Sequence, residues 1–268
     1  MINYISGFDL YFQSILFRLF KNILRKKSFV FHSESNESQI LAKYLNYIDY
    51  KSFSFLDIGA GGGFHGSNTI DLLINKGFRG LFVEGDSSNA YKLKTLLESN
   101  ADIERCNYEV LNEFVTSENI NSICFKVDGF KNIDVVSIDI DSVDFWVWKA
   151  LHVIKPFIVI VEFQCIFKED QFLVSPNFAR SGFVNRNGHE YCISNSASLS
   201  AFVKLGNEKG YTLVAVSESG FNAFFMINEI AERHHLGISV AEGLDRDFTR
   251  WAQREFGEEI MCFEWLKY

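Results

Sequence analysis

Three sets of residues stand out for side chains that bind or react. The first is Asp57-Ile58-Gly59-Ala60-Gly61, continued by Gly62 and Gly63 and followed by Ser67-Asn68-Thr69. Glycines after a short apolar run let a ligand come close to the backbone, because no Cβ stands in the way. The second is Glu84, which lies 27 residues after Asp57 and ends the run Gly80-Leu81-Phe82-Val83. A carboxylate at that point of an α/β sheet can accept both hydroxyls of a ribose. The third is a group of oxygen-bearing side chains, Asp139, Asp141, Asp144, Glu162 and Gln164, at the ends of two further apolar runs. Carboxylates in that number suit a hard divalent ion, Mg²⁺ or Mn²⁺ held by Asp139, Asp141 and Glu162, or general-base work on a hydroxyl.

The glycine run permits two registers. Gly61, Gly63 and Gly66 spell G-x-G-x-x-G, the pyrophosphate fingerprint of dinucleotide enzymes, which would carry the strand through Gly59 and Ala60. The register Asp57-x-Gly59-x-Gly61 ends the strand two residues earlier. Asp57 separates them: its charge repels a pyrophosphate but attracts an amino acid with a free ammonium group. This register resembles the acid-x-Gly-x-Gly pattern of methyltransferases, whose ligand, without phosphate and with such an amino acid, is S-adenosylmethionine. The expected cofactor contacts are Asp57, Gly59, Ala60, Gly61, Asn68, Glu84 and Asp139. Without a ligand, the glycines would be only a tight turn and Glu84 a solvated loop acid. Two further readings compete, an NAD-dependent oxidoreductase and a nucleoside-binding module without catalysis. Asp57 opposes the first, and the acids at the reaction edge oppose the second.

Holding these residues together requires a sheet. From residue 51 on, short apolar runs alternate with helical stretches, which reads as βαβ units and a mostly parallel sheet. Strands are expected at 52–58, 80–84, 104–110, 133–140, 157–163, 212–217 and 221–227, with helices near 67–76, 87–99, 144–153 and 197–209. The last two strands are separated only by Glu218-Ser219-Gly220, too little for a crossover, so they form an antiparallel hairpin. The fold class is therefore α/β and Rossmann-like, a seven-stranded sheet closed by an antiparallel hairpin and preceded by N-terminal helices. Residues 1–50 read as a helical extension, 51–229 as the main domain and 230–268 as a C-terminal extension. The stretch 164–195 is long, polar and aromatic and follows the fifth strand, where a substrate loop or lid belongs.

In the extension, Phe8, Tyr11, Phe12, Ile15, Leu16, Leu19, Phe20 and Ile23 recur at helical spacing beside Arg18, Lys21, Arg25, Lys26 and Lys27. Such a helix packs on the body or on a second subunit, or lies on a membrane surface with its basic residues toward the headgroups. Asn36 and Gln39 have the spacing of a capping box for a second helix.

The sheet with its closing hairpin resembles the class I methyltransferase fold. A narrower resemblance rests on Leu56-Asp57-Ile58-Gly59-Ala60-Gly61, Ser67-Asn68-Thr69, Phe114-Val115-Thr116-Ser117-Glu118-Asn119-Ile120-Asn121, and Val136-Ser137-Ile138-Asp139-Ile140-Asp141 with Asp144-Phe145-Trp146. These segments look like a bacterial family related to the FkbM-type methyltransferases. The resemblance implies O-methylation of a sugar for surface polysaccharide, often on a nucleotide-activated sugar. Where that family has Tyr-Asn after the fifth-strand glutamate, this chain has Phe163-Gln164.

For such a transfer, Asp139, Asp141, Glu162 and His189 are the candidate catalytic residues, with His65 a second histidine. A metal would lower the pKa of the attacked hydroxyl; without one, a carboxylate or His189 takes its proton. The net charge of −8 and a pI near 5.3 oppose nucleic-acid binding, and no Asn/Asp-Pro-Pro-aromatic motif follows the fourth strand to grip a flipped base. Cys106, Cys124, Cys165, Cys192 and Cys262 include no C-x-x-C pair, and the N-terminus lacks the marks of a signal peptide. A reducing cytoplasm and an unprocessed chain are expected.

Overall fold

The computed structural model describes residues 35–49, 52–65, 67–100, 103, 107–126, 132–177, 182–186, 189–194 and 196–268, with backbone alone for 182–194. The expected amphipathic helix of residues 8–27 lies outside the described residues, as do Gly66 and the start of the expected third strand.

The elements follow in order. They are α1 (Glu37–Leu45), β1 (Ser54–Ile58), α2 (Ile70–Lys76), β2 (Arg79–Glu84), α3 (Ser87–Ser99), β3 (Tyr108–Asn112), α4 (Ile120–Ile123), β4 (Val135–Ile138), α5 (Asp144–Ala150) and β5 (Ile158–Glu162). After these come β6 (Leu173–Val174), β7 (Gly182–Arg186), β8 (His189–Ser194), α6 (Leu199–Lys209), β9 (Tyr211–Val216), β10 (Asn222–Ile227), α7 (Asn228–Arg233), α8 (Val240–Leu244), α9 (Asp247–Phe256) and β11 (Leu266–Lys267). Seven strands form one sheet in the order β3-β2-β1-β4-β5-β10-β9. Neighbours from β3 to β5 are parallel, and β10 runs antiparallel to both β5 and β9. This is the Rossmann-like sheet with a reversed final hairpin that the sequence leads one to expect. Gly220 makes the hairpin turn at φ +83°, donating its amide to Ser217 O.

The strands are apolar on both sides because helices cover both faces. Alternation assigns Leu56, Ile58, Leu81, Val83, Val136 and Ile138 to one core, with Phe145, Trp148 and Phe202. Phe55, Phe82, Val135, Ile158, Ile160, Phe224 and Met226 fill the other, beneath Leu41, Tyr44, Leu93 and Leu97. Asp57, Glu84, Ser137, Glu162 and Asn222 continue the second set at the strand ends, each two residues from a member of that core. Period-two geometry therefore puts them all on the same side of one sheet edge.

Residues 32–268 form one compact unit, which includes α1 and the whole C-terminal segment. Ala252, Phe256 and Ile260 enter the first core. The expected lid divides in two. Cys165, Ile166 and Phe167 are buried, and β6 pairs antiparallel with β11 at the chain end, so its first half is tied to the body. Its second half is the β7–β8 hairpin.

The expected capping box does not form. Helix α1 starts directly after Asn36, but that side chain makes no cap. Its Oδ1 instead accepts the Glu218 amide at 2.9 Å, tying the helix to the hairpin tip. Here a tertiary hydrogen bond outcompetes the local one.

Candidate functional site

Strand β1 ends at Ile58, and the chain turns at Gly59 with φ +83°. Gly59 donates to Val83 O, while Asp139 donates its amide to Ile58 O, so the turn is clamped between β2 and β4. A Cβ on Gly59 would lie 1.7 Å from the Asp139 carbonyl oxygen. Gly61 is also left-handed, at φ +65°, but faces open space. The turn therefore follows the Asp57-x-Gly59-x-Gly61 register and not the later one built on Gly61, Gly63 and Gly66.

Asp57 is buried, and its Oδ2 accepts the Thr69 hydroxyl at 2.7 Å and the Ser67 hydroxyl at 3.3 Å. Burial pushes its carboxyl up to about 6; the two hydroxyls partly oppose this, and the charge of Glu84 adds to it. Glu84 bridges two loops. Its Oε2 accepts the Gly61 amide and its Oε1 the Asp86 amide, both at 2.7 Å. Each carboxylate oxygen has a second lone pair and can accept one more donor. Beyond it, Asn112 Nδ2 donates to the Glu84 and Gly85 carbonyls, and Phe114, 73% exposed, stands against Gly85.

A cleft of about 150 Å³ is lined by Asp57, residues 59–63, His65, Ser67, Asn68 and Asp139. It brings together Asp57, Gly59, Ala60, Gly61, Asn68 and Asp139, with Glu84 behind Gly61. Two larger hollows, of about 770 and 540 Å³, lie between residues 166–171 and the segment holding α8 and α9. Neither contains a residue of the three reactive sets, so the smaller cleft is the chemically equipped one.

The acids assemble differently from expectation. Oxygens of Asp139, Asp144 and Glu162 lie within 4.8 Å of one another, and Asp141 is not in that group. Asp141 sits at φ +58°, exposed, where the chain turns away after β4. Its carboxyl is nonetheless raised, by desolvation and then by Glu84. Asp144 takes its place in the group because the turn folds back: its Oδ1 accepts the Ile140 amide at 2.9 Å and its Oδ2 the Ser142 amide at 3.2 Å. Burial pushes Asp144 up to about 7 despite those amides, with Asp141 adding to the rise. The expected metal set Asp139, Asp141 and Glu162 is therefore not brought together. The set that is has hard-ion donors, but one of its three carboxylates already braces the backbone with both oxygens.

His189 begins β8, opposite Arg186, and its side chain lies outside the described residues. Gln164 is buried, and its Oε1 accepts the Ile166 amide, so it orders its own turn. Ser67, Thr69, Ser137, Asn222 and Phe114 join the site without having been assigned a contact in it. Ser67 and Thr69 flank Asn68 and had a local signal. Asn222 had none, because its place depends on β10 lying beside β5, where it pairs with Glu162.

No family model matches the chain, and no curated protein does. Solved structures similar to it include an S-adenosylmethionine-dependent methyltransferase from Clostridium acetobutylicum ATCC 824, at 13% identity and a TM-score of 0.45, over 79% of this chain and 99% of that one. The glycopeptide N-methyltransferase MtfA complexed with S-adenosyl-L-methionine is similar at 13% identity and a TM-score of 0.45, over 73% of this chain and 87% of that one. A SAM dependent methyltransferase from Aquifex aeolicus is similar at 14% identity and a TM-score of 0.41, over 72% and 90%.

Proposed function

We propose that this protein is an S-adenosylmethionine-dependent methyltransferase that transfers the methyl group to a hydroxyl of a small polar acceptor, a sugar or nucleotide-sugar. The observation that carries the cofactor reading is the cleft at the end of β1. There a buried carboxylate, a backbone open at Gly61, and the bridging Glu84 meet at one sheet edge. Glu84 accepts the ribose hydroxyls, the exposed ring of Phe114 offers a face to the adenine, and Asp57 attracts the ammonium group. Among the described residues of this cleft a pyrophosphate finds no lysine or arginine but two carboxylates, Asp57 and Asp139, which disfavours a dinucleotide.

When bound, S-adenosylmethionine would supply a sulfonium methyl group for in-line displacement by the acceptor oxygen, the electron pair of the broken carbon–sulfur bond staying on sulfur. Asp139, on the cleft wall, faces the cofactor; Glu162, on the neighbouring strand, takes the hydroxyl proton. A Mg²⁺ or Mn²⁺ ion would be held by Asp139, Asp144 and Glu162 and would acidify the hydroxyl. Asp144 already accepts a backbone amide at each oxygen, and the proton transfer to Glu162 needs no ion. The sugar comes from the motif resemblance alone. The net charge of −8 opposes a polyanionic nucleic-acid backbone as the acceptor.

Calorimetry with S-adenosylhomocysteine and NADH tests the cofactor. Binding of the first and not the second is expected, with Glu84→Ala weakening it by roughly 1–3 kcal/mol through lost charged-group hydrogen bonds. The reverse selectivity would overturn the reading. A second measurement follows methyl transfer to a panel of nucleotide-sugars by mass after exhaustive EDTA treatment. Activity is expected to persist without added Mg²⁺ or Mn²⁺ and to fall about 100-fold or more in Glu162→Gln, the usual range for a general base. Activity restored only by the ion would reinstate the metal. An inactive His189→Asn beside an active Glu162→Gln would hand the proton to the histidine.

A further inference from the structure

Asn68 lies between the two hydroxyl residues that hold Asp57 and is 4% exposed on the cleft wall. Its Nδ2 donates to Ser137 Oγ on β4 and to Asn222 Oδ1 on β10, both at 3.3 Å. Those two acceptors orient the amide. Its oxygen is left buried with no hydrogen-bond partner among the described residues. A buried acceptor without a donor costs about 1–3 kcal/mol, and such groups are rare enough to need a reason. The two bonds from Nδ2 account for an amide at this position, but they leave its oxygen without a structural role.

We propose that Asn68 Oδ1 is the acceptor for the ammonium group of the cofactor's amino acid, held in place by Ser137 and Asn222 as positioning residues. This rests on the S-adenosylmethionine reading above. The chemistry of the wall selects an ammonium group. Asp57, ionised at neutral pH, and the amide oxygen are both acceptors, and –NH₃⁺ has three donors and no acceptor. The ribose is provided for elsewhere, at Glu84 on the far side of the glycine turn. At about 150 Å³ the cleft has room for the amino-acid end of the cofactor, and the nucleoside lies outside it beside Glu84. The amide oxygen gains its donor when the ammonium group occupies the cleft. Asn222 gives the antiparallel strand a function: it lets β10 set the orientation of a group on the β1–α2 loop.

The test compares two ligands by calorimetry, S-adenosylhomocysteine and 5′-methylthioadenosine, which keeps the nucleoside and sulfur but lacks the amino acid. In Asn68→Leu, affinity for the first is expected to fall about 10- to 100-fold, the worth of a hydrogen bond to a charged group, while affinity for the second stays within about twofold. Asn222→Ala leaves the acceptor present but unguided. It should lower the ratio of the two affinities by about threefold to tenfold, within the value of one neutral hydrogen bond, and serves if the leucine variant does not fold. Equal losses for both ligands, or an unchanged ratio in both variants, would overturn the proposal while leaving the cofactor assignment intact. A folded wild-type protein that binds neither ligand would overturn both.

Discussion

Among the described glycines, Gly59→Ala is expected to be the most damaging added methyl, destabilising the protein by roughly 2–5 kcal/mol. Two effects combine. A non-glycine residue in the left-handed region costs about 1–2 kcal/mol, and Gly59 sits at φ +83°. The added Cβ would also stand 1.7 Å from the Asp139 carbonyl oxygen and 2.6 Å from its carbon, both backbone atoms that cannot rotate away. Making room means separating the ends of β1 and β4 and losing the hydrogen bond from Asp139 N to Ile58 O, an overpacking strain of about 1–3 kcal/mol. Gly61→Ala is the control. It shares the positive φ, at +65°, but its Cβ meets nothing within 4 Å, so only the conformational cost of about 1–2 kcal/mol applies. In thermal melts the first variant should lose about 5–15 °C and the second about 2–6 °C, at roughly 2–4 °C per kcal/mol for a domain of this size. The first should also lose S-adenosylhomocysteine binding. Indistinguishable melting of the two variants would mean that the β1–β4 junction is looser than its hydrogen bonds imply.

Asp57→Asn should act in the opposite direction on stability and the same direction on binding. Burial raises the Asp57 carboxyl from 3.8 to about 6. The folded protein therefore holds this proton more tightly than the unfolded chain does. Below about pH 4 both states are protonated and the stability contribution is complete. As pH rises through 4 to 6 the unfolded chain loses its proton first, and stability declines until the folded carboxyl has ionised as well. The displacement corresponds to roughly 3 kcal/mol at 1.36 kcal/mol per pH unit, an order of magnitude for a buried group. Asparagine cannot ionise, and its amide oxygen can still accept the Thr69 hydroxyl. At pH 8 the variant should be more stable by about 1–3 kcal/mol, and its stability should change less between pH 4 and 6. Asp144, pushed up to about 7, gives the wild type a second decline of the same sign that the variant retains. Binding of S-adenosylhomocysteine should weaken about tenfold or more, as expected on losing a charged partner for the ammonium group. In the wild type that binding should tighten as pH rises through 6, where Asp57 acquires its charge. Denaturant titrations across pH 4–8, paired with calorimetry, read both quantities. A variant less stable than wild type at pH 8 would show that the carboxylate is offset by interactions beyond Thr69 and Ser67.

These two positions explain why part of the site was legible in the chain. Asp57, Glu84 and Glu162 each end an apolar run, and each is two residues beyond Phe55, Phe82 or Ile160, side chains of one core. A buried parallel sheet needs long apolar runs, and the side chain that ends a run on the proper parity must emerge at the sheet edge. The seven strands, the reversed hairpin and the three principal carboxylates are consequences of that periodicity. The third strand was displaced, ending at Asn112 and not near Val110, because pairing with Glu84 defines its end.

Through-space neighbours decided the rest. Asp141 and Asp144 are equally acidic in the chain, and only the positive φ at Asp141 and the two backbone amides gathered by Asp144 determine which one joins Asp139 and Glu162. Asn36 and Gln39 have capping spacing, yet the hairpin amide of Glu218 captures Asn36. Ser137 and Asn222 meet at Asn68 from positions 69 and 154 residues away along the chain. Local patterning follows from the geometry of a single strand or helix and is written in consecutive residues. Which polar groups pair inside the fold depends instead on strand order and on backbone turns whose energies are set by packing, and those exist only once the sheet has closed.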